Sequence, residues 1–285
     1  MPKYVACSDR KAPWALGAAG RMCRILDAYS ASSLRVAARR GGVEAINDPL
    51  YGAPQPLLRF DSILCIAEPR RALERAVAQA GDALEYALAE VVGMLGPRVR
   101  PHLGLTGTLA LGMHRAGVSD VDLVVYGDRA SERMLEEFSS LRGEPPGPPR
   151  RVVGGVRIAP PTDLSWRRAG VGGISVSWIG APSRPASHCP PLREWRHLRP
   201  PRGRAHIETS VEPGQPGALL YPPCVRTVEG LFIVSYEYNL ALHMYVGGRM
   251  RVEGLRAGEA VILGSAEHPG SLVLLGRGEN IGSLR

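Results

Sequence analysis

Two aspartates, Asp120 and Asp122, stand at the head of the apolar run Leu123-Val124-Val125. Desolvating an ionised carboxylate costs several kcal/mol unless a cation or donors offset it, so core strands normally exclude them. Residues i and i+2 of a strand leave the same face, which puts both carboxylates on one side, about 6–7 Å apart at the backbone. Val121 and Leu123 then point the other way, into a core. Carboxylates held so close repel, and a divalent cation turns the repulsion into attraction. Magnesium and manganese favour carboxylate oxygen and commonly complete their shells with substrate phosphates. The chemistry to expect is metal-assisted handling of a polyphosphate.

The upstream stretch Leu105-Thr106-Gly107-Thr108 reads as a strand end turning into a helix start. A glycine at such a junction lets backbone N–H groups approach a phosphate closely, and the Thr108 hydroxyl adds a donor. Residues 109–119 separate Thr108 from Asp120, room for a short helix and a return into the adjacent strand. Arg115 lies in this connection. Its guanidinium suits a phosphate, although surface arginines are more often only solvated.

Gly107-Thr108 followed by Asp120-Val121-Asp122 resembles the signature of the DNA polymerase beta-type nucleotidyltransferase superfamily. That signature is a strand end, a Gly-Ser or Gly-Gly turn and an acidic-x-acidic strand; Thr108 replaces the usual serine. The run LTGTLALGMHRAGVSDVDLVVYG is similar, more narrowly, to archaeal predicted nucleotidyltransferases with a DNA polymerase beta domain. LFIVSYEY, VGGRMRVEGL and AVILG echo their C-terminal part more loosely. The resemblance implies that Gly107 and Thr108 hold the triphosphate of a nucleotide and that Asp120 and Asp122 bind magnesium or manganese. Arg115 would contact a phosphate. The implied reaction moves a nucleoside monophosphate from a nucleoside triphosphate to an acceptor hydroxyl and releases pyrophosphate. RNA, DNA, a small molecule and a protein side chain all stay open as acceptors.

One departure from the family pattern stands out. The superfamily carries a third carboxylate on a later strand, where this chain has Ser177, with Ser175 two residues before it. Serine has no charge with which to activate a nucleophile. Asp163 in PPTDLSW and Glu208 in HIETSV are the acids that would have to reach in from elsewhere. An alternative function follows, a catalytically impaired nucleotide- or nucleic-acid-binding protein that retains the nucleotidyltransferase fold. A third is a structural partner that docks through its C-terminal part.

The elements that would position these residues are read from hydrophobic periodicity. Residues 1–68 have no clear fold, with one or two short helices expected within Ala15–Ala38, a turn at Asp48–Gly52 and an extended piece at Phe60–Ile66. Leu73, Val77, Ala80, Leu84, Leu88, Val91 and Leu95 recur at helical spacing, so a helix is expected over Pro69–Leu95. A strand at Arg98–Leu105 leads into the glycine turn, and a second helix is expected over Asp128–Leu141. Strands follow at Arg151–Ile158 and Gly173–Ile179. The stretch 181–204 is rich in proline and arginine and reads as a linker. From 205 to 285, seven segments read as strands: HIETSV, ALLYPPCV, LFIVSYEY, LALHMYV, RMRVEGL, EAVILG and SLVLLG.

The expected fold class is therefore multi-domain α+β. A nucleotidyltransferase core over 69–180, a short mixed sheet flanked by helices, precedes a small C-terminal β-barrel. Such barrels often bind single-stranded nucleic acid, with Tyr221, Tyr236, Tyr238 and Tyr245 as stacking faces; a structural lid is the equal alternative. Trp166, Trp178 and Trp195 either stack bases or, the more favoured reading, pack the linker.

The 285 residues carry a formal charge of +8, nearly all of it arginine, since Lys3 and Lys11 are the only lysines. That balance favours polyanionic partners such as nucleotides, RNA or DNA, unless it reflects genomic base composition. No apolar run approaches the roughly 20 residues that span a bilayer, and the first residues lack a signal peptide's apolar segment, so a cytoplasmic location with no membrane partner is expected. The five cysteines are scattered, which argues against a disulfide framework or a zinc knuckle. His188-Cys189 is a poor metal pair because adjacent residues rarely converge on one ion.

Overall fold

The structure, a computed structural model, describes five short segments before residue 60 and residues 61–276 except 62, 64, 65, 116, 142–148, 194–202, 266 and 267. The early segments are strands. β1 (Tyr4–Ala6), β2 (Trp14–Ala15) and β3 (Arg21–Arg24) form an antiparallel sheet in the order β1-β3-β2, and β4 (Ala45–Asp48) pairs with β5 (Ala53–Pro56). β2 and β3 thus stand where short helices were expected. The rest of Ala15–Ala38, and most of the extended piece at 60–66, lies outside the described residues.

The single helix expected over Pro69–Leu95 is two: α1 (Pro69–Ala78) and α2 (Ala83–Met94). The break has a local cause. Asp82 caps α2, its Oδ1 accepting the Leu84 and Glu85 N–H groups at 2.9 and 3.0 Å. Gly81 donates its N–H to Glu85 Oε2 at 2.7 Å, so a helix start replaces the continuation. Such a cap contributes about 1 kcal/mol. The expected apolar face survives the break, with Leu73, Leu84, Leu88, Val91 and Leu95 all buried.

Next come a 3₁₀ turn (Arg100–His102), β6 (Leu103–Thr106), the one-turn α3 (Gly107–Ala110), β7 (Val121–Tyr126) and α4 (Asp128–Phe138). The hairpin β8 (Arg150–Val153) and β9 (Val156–Thr162) follows, then β10 (Arg168–Val171) and β11 (Ile174–Ala181). β10, β11, β7 and β6 form a four-stranded mixed sheet in that order, with β11 parallel to β7 and the outer pairs antiparallel. Alternation assigns its faces. Leu105, Val121, Leu123, Val125, Val176 and Trp178 fill one face and are buried with Met134 and Phe138 of α4. The other face carries Thr106, Asp122, Val124, Tyr126 and Ser177. α1 reaches part of it: a Cβ on Gly104 would stand 2.8 Å from the Pro69 Cβ and 2.9 Å from Val124 Cγ1.

The remaining strands are β12 (Arg204–Val211), β13 (Cys224–Arg226), β14 (Phe232–Ser235), β15 (Gly248–Ala257), β16 (Ala260–Leu263) and β17 (Ser271–Gly276). They build a second sheet in the order β13-β14-β16-β15-β17-β9-β8, with β12 along the other side of β15. No closed barrel forms among the described residues. β15 is paired along one side by β12, while β16 and β17 share the other. The hairpin β8–β9, expected within the preceding core, joins this sheet through the parallel β9–β17 pairing. LALHMYV, expected as a strand, ends as α6 (Ala241–Val246), after the short α5 (Pro190–Arg193). Leu240, Ala241 and Met244 recur at helical spacing and are fully buried.

One covalent tie was not expected. Cys189 and Cys224, 35 residues apart, form a disulfide and are almost fully buried. Cys189 is therefore no metal ligand, and His188 Nε2 lies 2.9 Å from the Pro222 carbonyl. The expected linker is structured as far as α5, while 194–202, including Trp195, lies outside the described residues. Among the described residues no helix is long and apolar enough to cross a membrane.

Candidate functional site

Strand register lines up one residue from each strand of the four-stranded sheet. Arg168 of β10 faces Ser177 of β11, Ser177 faces Asp122 of β7, and Asp122 faces Thr106 of β6. Facing partners share a side of the sheet, so these four side chains form a row on the face opposite the aromatic core. Asp122 is its centre. Its Oδ1 accepts the Ser177 hydroxyl at 2.7 Å, and the Thr106 hydroxyl donates to the Asp122 backbone carbonyl at 3.1 Å.

Gly107 sets the other boundary. Its φ is +75°, a left-handed conformation that favours glycine, and a Cβ there would stand 2.8 Å from Asp122 Oδ2. The turn and the carboxylate are thus in contact across β6 and β7, as the spacing of the two half-motifs predicts. Asp120 lies just before β7, exposed to solvent, whereas Asp122 is half-buried.

The connecting loop 111–120 is tied down by side chains. The Thr108 hydroxyl, buried, donates to Ser119 Oγ at 3.0 Å, and the Arg115 backbone N–H donates to the same oxygen at 3.0 Å. Thr108 therefore spends its hydroxyl on the loop. Arg115 is exposed, and its side chain makes no hydrogen bond or ion pair with described residues. Arg75 Nη2 donates to the Ala110 carbonyl at 2.9 Å, and His114 Nε2 sits 2.7 Å from Asp82 Oδ2. Asp82, Glu85 and His114 bring three ligand-type atoms within 4.8 Å of one another. Their oxygens are largely engaged in capping α2, so the group serves as the loop's anchor. Burial pushes the Asp82 carboxyl up, but the Glu85 N–H and His114 outweigh it and hold it below its usual range.

Neither stand-in for the third acid reaches the row. Asp163 accepts the backbone N–H and hydroxyl of Ser165, both at 2.8 Å, and Glu208 is paired with Arg249 and Arg251 on the second sheet. Ser177, which the resemblance aligns with a third carboxylate, faces Asp122 across the β7–β11 pair, while Ser175 is exposed. The donor set still suits a hard cation. The Asp122 carboxylate meets the glycine turn, oriented by a hydroxyl and cradled where a Cβ would intrude, and Asp120 stands two residues before it in the chain.

Compared with known families, curated proteins and solved structures, the chain matches none. The likeness to nucleotidyltransferases rests on the half-motifs and their arrangement.

Sequence reasoning missed two arginines. Arg168 Nε is buried and makes no hydrogen bond. Arg167 lies on the opposite side. Its Nε donates to the Trp178 carbonyl at 3.2 Å, its Nη1 to Asn239 Oδ1 at 2.8 Å, and its guanidinium sits 5.0 Å from the Tyr238 ring. Trp166 and Trp178 pack edge-on in this cluster; packing was expected, but of the linker, and they belong instead to the core of the four-stranded sheet. Tyr238 is buried, its hydroxyl accepting the Gly180 N–H and donating to the Leu219 carbonyl, both at 2.7 Å. Tyr245 donates to Glu132 at 3.3 Å, and burial with that acid pushes its phenol up to about 12. Neither tyrosine is a free stacking face. A cavity of about 240 Å³ lies elsewhere, lined by Arg157, Arg204, Glu253 and His268, with no residue of the four-stranded sheet. It falls below the 300–1,000 Å³ typical of ligand sites.

Proposed function

We propose that the chain is a metal-dependent nucleotidyltransferase whose site is the glycine turn and the aspartate-centred row. The observation that carries this reading is the contact between Gly107 and Asp122, which brings the two half-motifs to one point of the sheet. Asp120 and Asp122 would hold magnesium or manganese, and the Gly107-Thr108 backbone would face the triphosphate. A bound divalent ion supplies charge neutralisation of the phosphate oxygens and favours ionisation of the attacking hydroxyl. The residues orient the substrate so that the acceptor oxygen bonds to the α-phosphorus, the bond to pyrophosphate breaks and the hydroxyl proton passes to solvent.

A second reading has its own observation. Ser177 donates to Asp122 in the place of a third carboxylate, so the row lacks a group to activate the acceptor. Nucleotide would then bind without transfer, and the chain would act as a binding protein on the same fold. Incubation with magnesium or manganese, labelled nucleoside triphosphates and RNA, DNA, small-molecule and protein acceptors separates the two. Pyrophosphate release that disappears in Asp120→Ala and Asp122→Ala supports transfer. Metal-dependent binding without release supports the second reading, and absence of nucleotide binding rejects both.

A further inference from the structure

Among the described residues, Arg168 has the one side chain of the row for which no hydrogen-bonding partner is seen, and it stands beside the residue that replaces the third acid. We propose that Arg168 is a phosphate-binding residue of this site, supplying the positive charge that a second metal ion would otherwise bring. The inference rests on the nucleotide-site reading above and deepens it, naming a nucleoside polyphosphate with a single divalent ion as the ligand.

The first support is register. The Gly172-Gly173 turn, with φ of +57° and +77°, joins β10 and β11 and fixes Arg168 opposite Ser177, which holds Asp122 at 2.7 Å. Ala169 and Val171 point to the core with Val176 and Trp178, so alternation puts Arg168 on the aspartate side. The second is the missing partner. Arg168 Nε is buried without a hydrogen bond; the Arg168 charge reaches Glu237 and helps to lower its carboxyl, but among the described residues no ion pair within 4 Å joins the two. A buried guanidinium nitrogen without an acceptor is costly, and a phosphate oxygen would satisfy it.

The third is charge. Three carboxylates suit two divalent ions; two carboxylates suit one, because a second ion would add uncompensated positive charge. Aspartate at 177 would face Arg168 across the strand pair and tie it up as an ion pair. Serine leaves the guanidinium available while still orienting Asp122. The serine and the arginine therefore read as one adaptation, in which a fixed cation takes the place of an acid and its ion.

The test is equilibrium binding by the full chain, with manganese counted by electron paramagnetic resonance and affinity read by calorimetry. Arg168→Ala is expected to weaken manganese-dependent triphosphate binding about ten- to hundredfold. Arg168→Lys should recover part of the loss, and binding of the bare nucleoside should not change. Wild type should hold one manganese per bound nucleotide, and the Ser177→Asp/Arg168→Ala double variant two. Matching thermal melts exclude misfolding, and the lysine variant keeps the test open should the alanine variant fold poorly. Unchanged affinity in Arg168→Ala, with binding abolished in Asp122→Ala, overturns the role of Arg168 and leaves the site standing. Two ions in wild type overturn it equally. No binding by the wild-type chain removes the site and Arg168's role together.

Discussion

Arg167 and Arg168 are consecutive, yet they serve opposite sides of the four-stranded sheet. Arg167 reaches the aromatic side, where a carbonyl, an amide oxygen and the face of Tyr238 surround its guanidinium. Burial lowers its pKa, helped by the neighbouring Arg168 charge, and the Tyr238, Glu237 and Asp122 charges work against that. Arg168 lies on the aspartate side, with its Nε buried and unbonded. A buried polar group that is fully partnered belongs to the architecture; one left short of partners, on the same face as a half-buried carboxylate, suits a ligand. The same division separates Tyr238, whose hydroxyl is used twice inside the protein, from Asp122, held by a single hydroxyl at one oxygen.

The sharpest way to break this contrast is at Gly107. Alanine there would carry strain from the left-handed backbone and push on Asp122 Oδ2. Displacing a reacting group by about 1 Å costs on the order of a hundredfold, so nucleotide binding and any pyrophosphate release should fall by about that much. A Gly107→Ala chain with wild-type affinity would mean that the aspartate side holds no ligand. The two arginines come next. Arg167→Ala strands Asn239 and opens the aromatic cluster, with an expected loss of about 2–4 kcal/mol in urea unfolding. Arg168→Ala should lose nothing and, by removing an unpaired buried nitrogen, gain about 1 kcal/mol. Equal losses would erase the distinction between the two sides.

How far the sequence disclosed this follows from the range of each signal. The Gly107 turn and the Asp120-Val121-Asp122 strand were legible because both are local, and alternation along β7 did place Val121, Leu123 and Val125 in the core. Ser177 was legible only through the family resemblance, which aligns it with a third acid; the parallel β7–β11 pairing that sets it beside Asp122 is a long-range feature of the fold. Arg168 was within reach: two glycines between short apolar segments signal a two-residue hairpin, and counting back from Gly172-Gly173 puts 168 opposite 177. The break before α2 was signalled by Gly81-Asp82, but the continuous apolar face masked it. Pairing of β9 with β17 and of Cys189 with Cys224 joins residues far apart in sequence, and no local pattern encodes either. α6 was mistaken for a strand because a short apolar run fits both periods.

A smaller effect sharpens the comparison at the loop. Asp82→Ala removes the cap of α2 and the anchor of His114. A loss of about 1 kcal/mol is expected at neutral pH. Because the folded-state pKa of Asp82 is depressed, its contribution is present above the ordinary aspartate range and fades as pH falls through the folded value. Wild type and Asp82→Ala should therefore converge in melting temperature in acid. A gap that persists under strongly acidic conditions would assign the effect to packing instead.

Glu237 should give the smallest change and the opposite pH sign. It accepts the Asn239 backbone and side-chain N–H groups at 3.0 and 2.6 Å, on the side of the sheet served by Arg167. Burial pushes its carboxyl above the ordinary glutamate value, more than Asn239, Arg167 and Arg168 lower it. A raised carboxyl is stabilised in its protonated form, so its contribution is complete below the unfolded pKa and is lost as pH rises through the folded value. Glu237→Gln removes that titration. Relative to wild type, its melting temperature should gain as pH rises from the acid range toward neutrality, most steeply just above the ordinary glutamate pKa. A difference that is flat with pH would show that the Arg167 network neutralises the charge of Glu237 completely, making the aromatic side still more self-contained than the contrast with Arg168 requires.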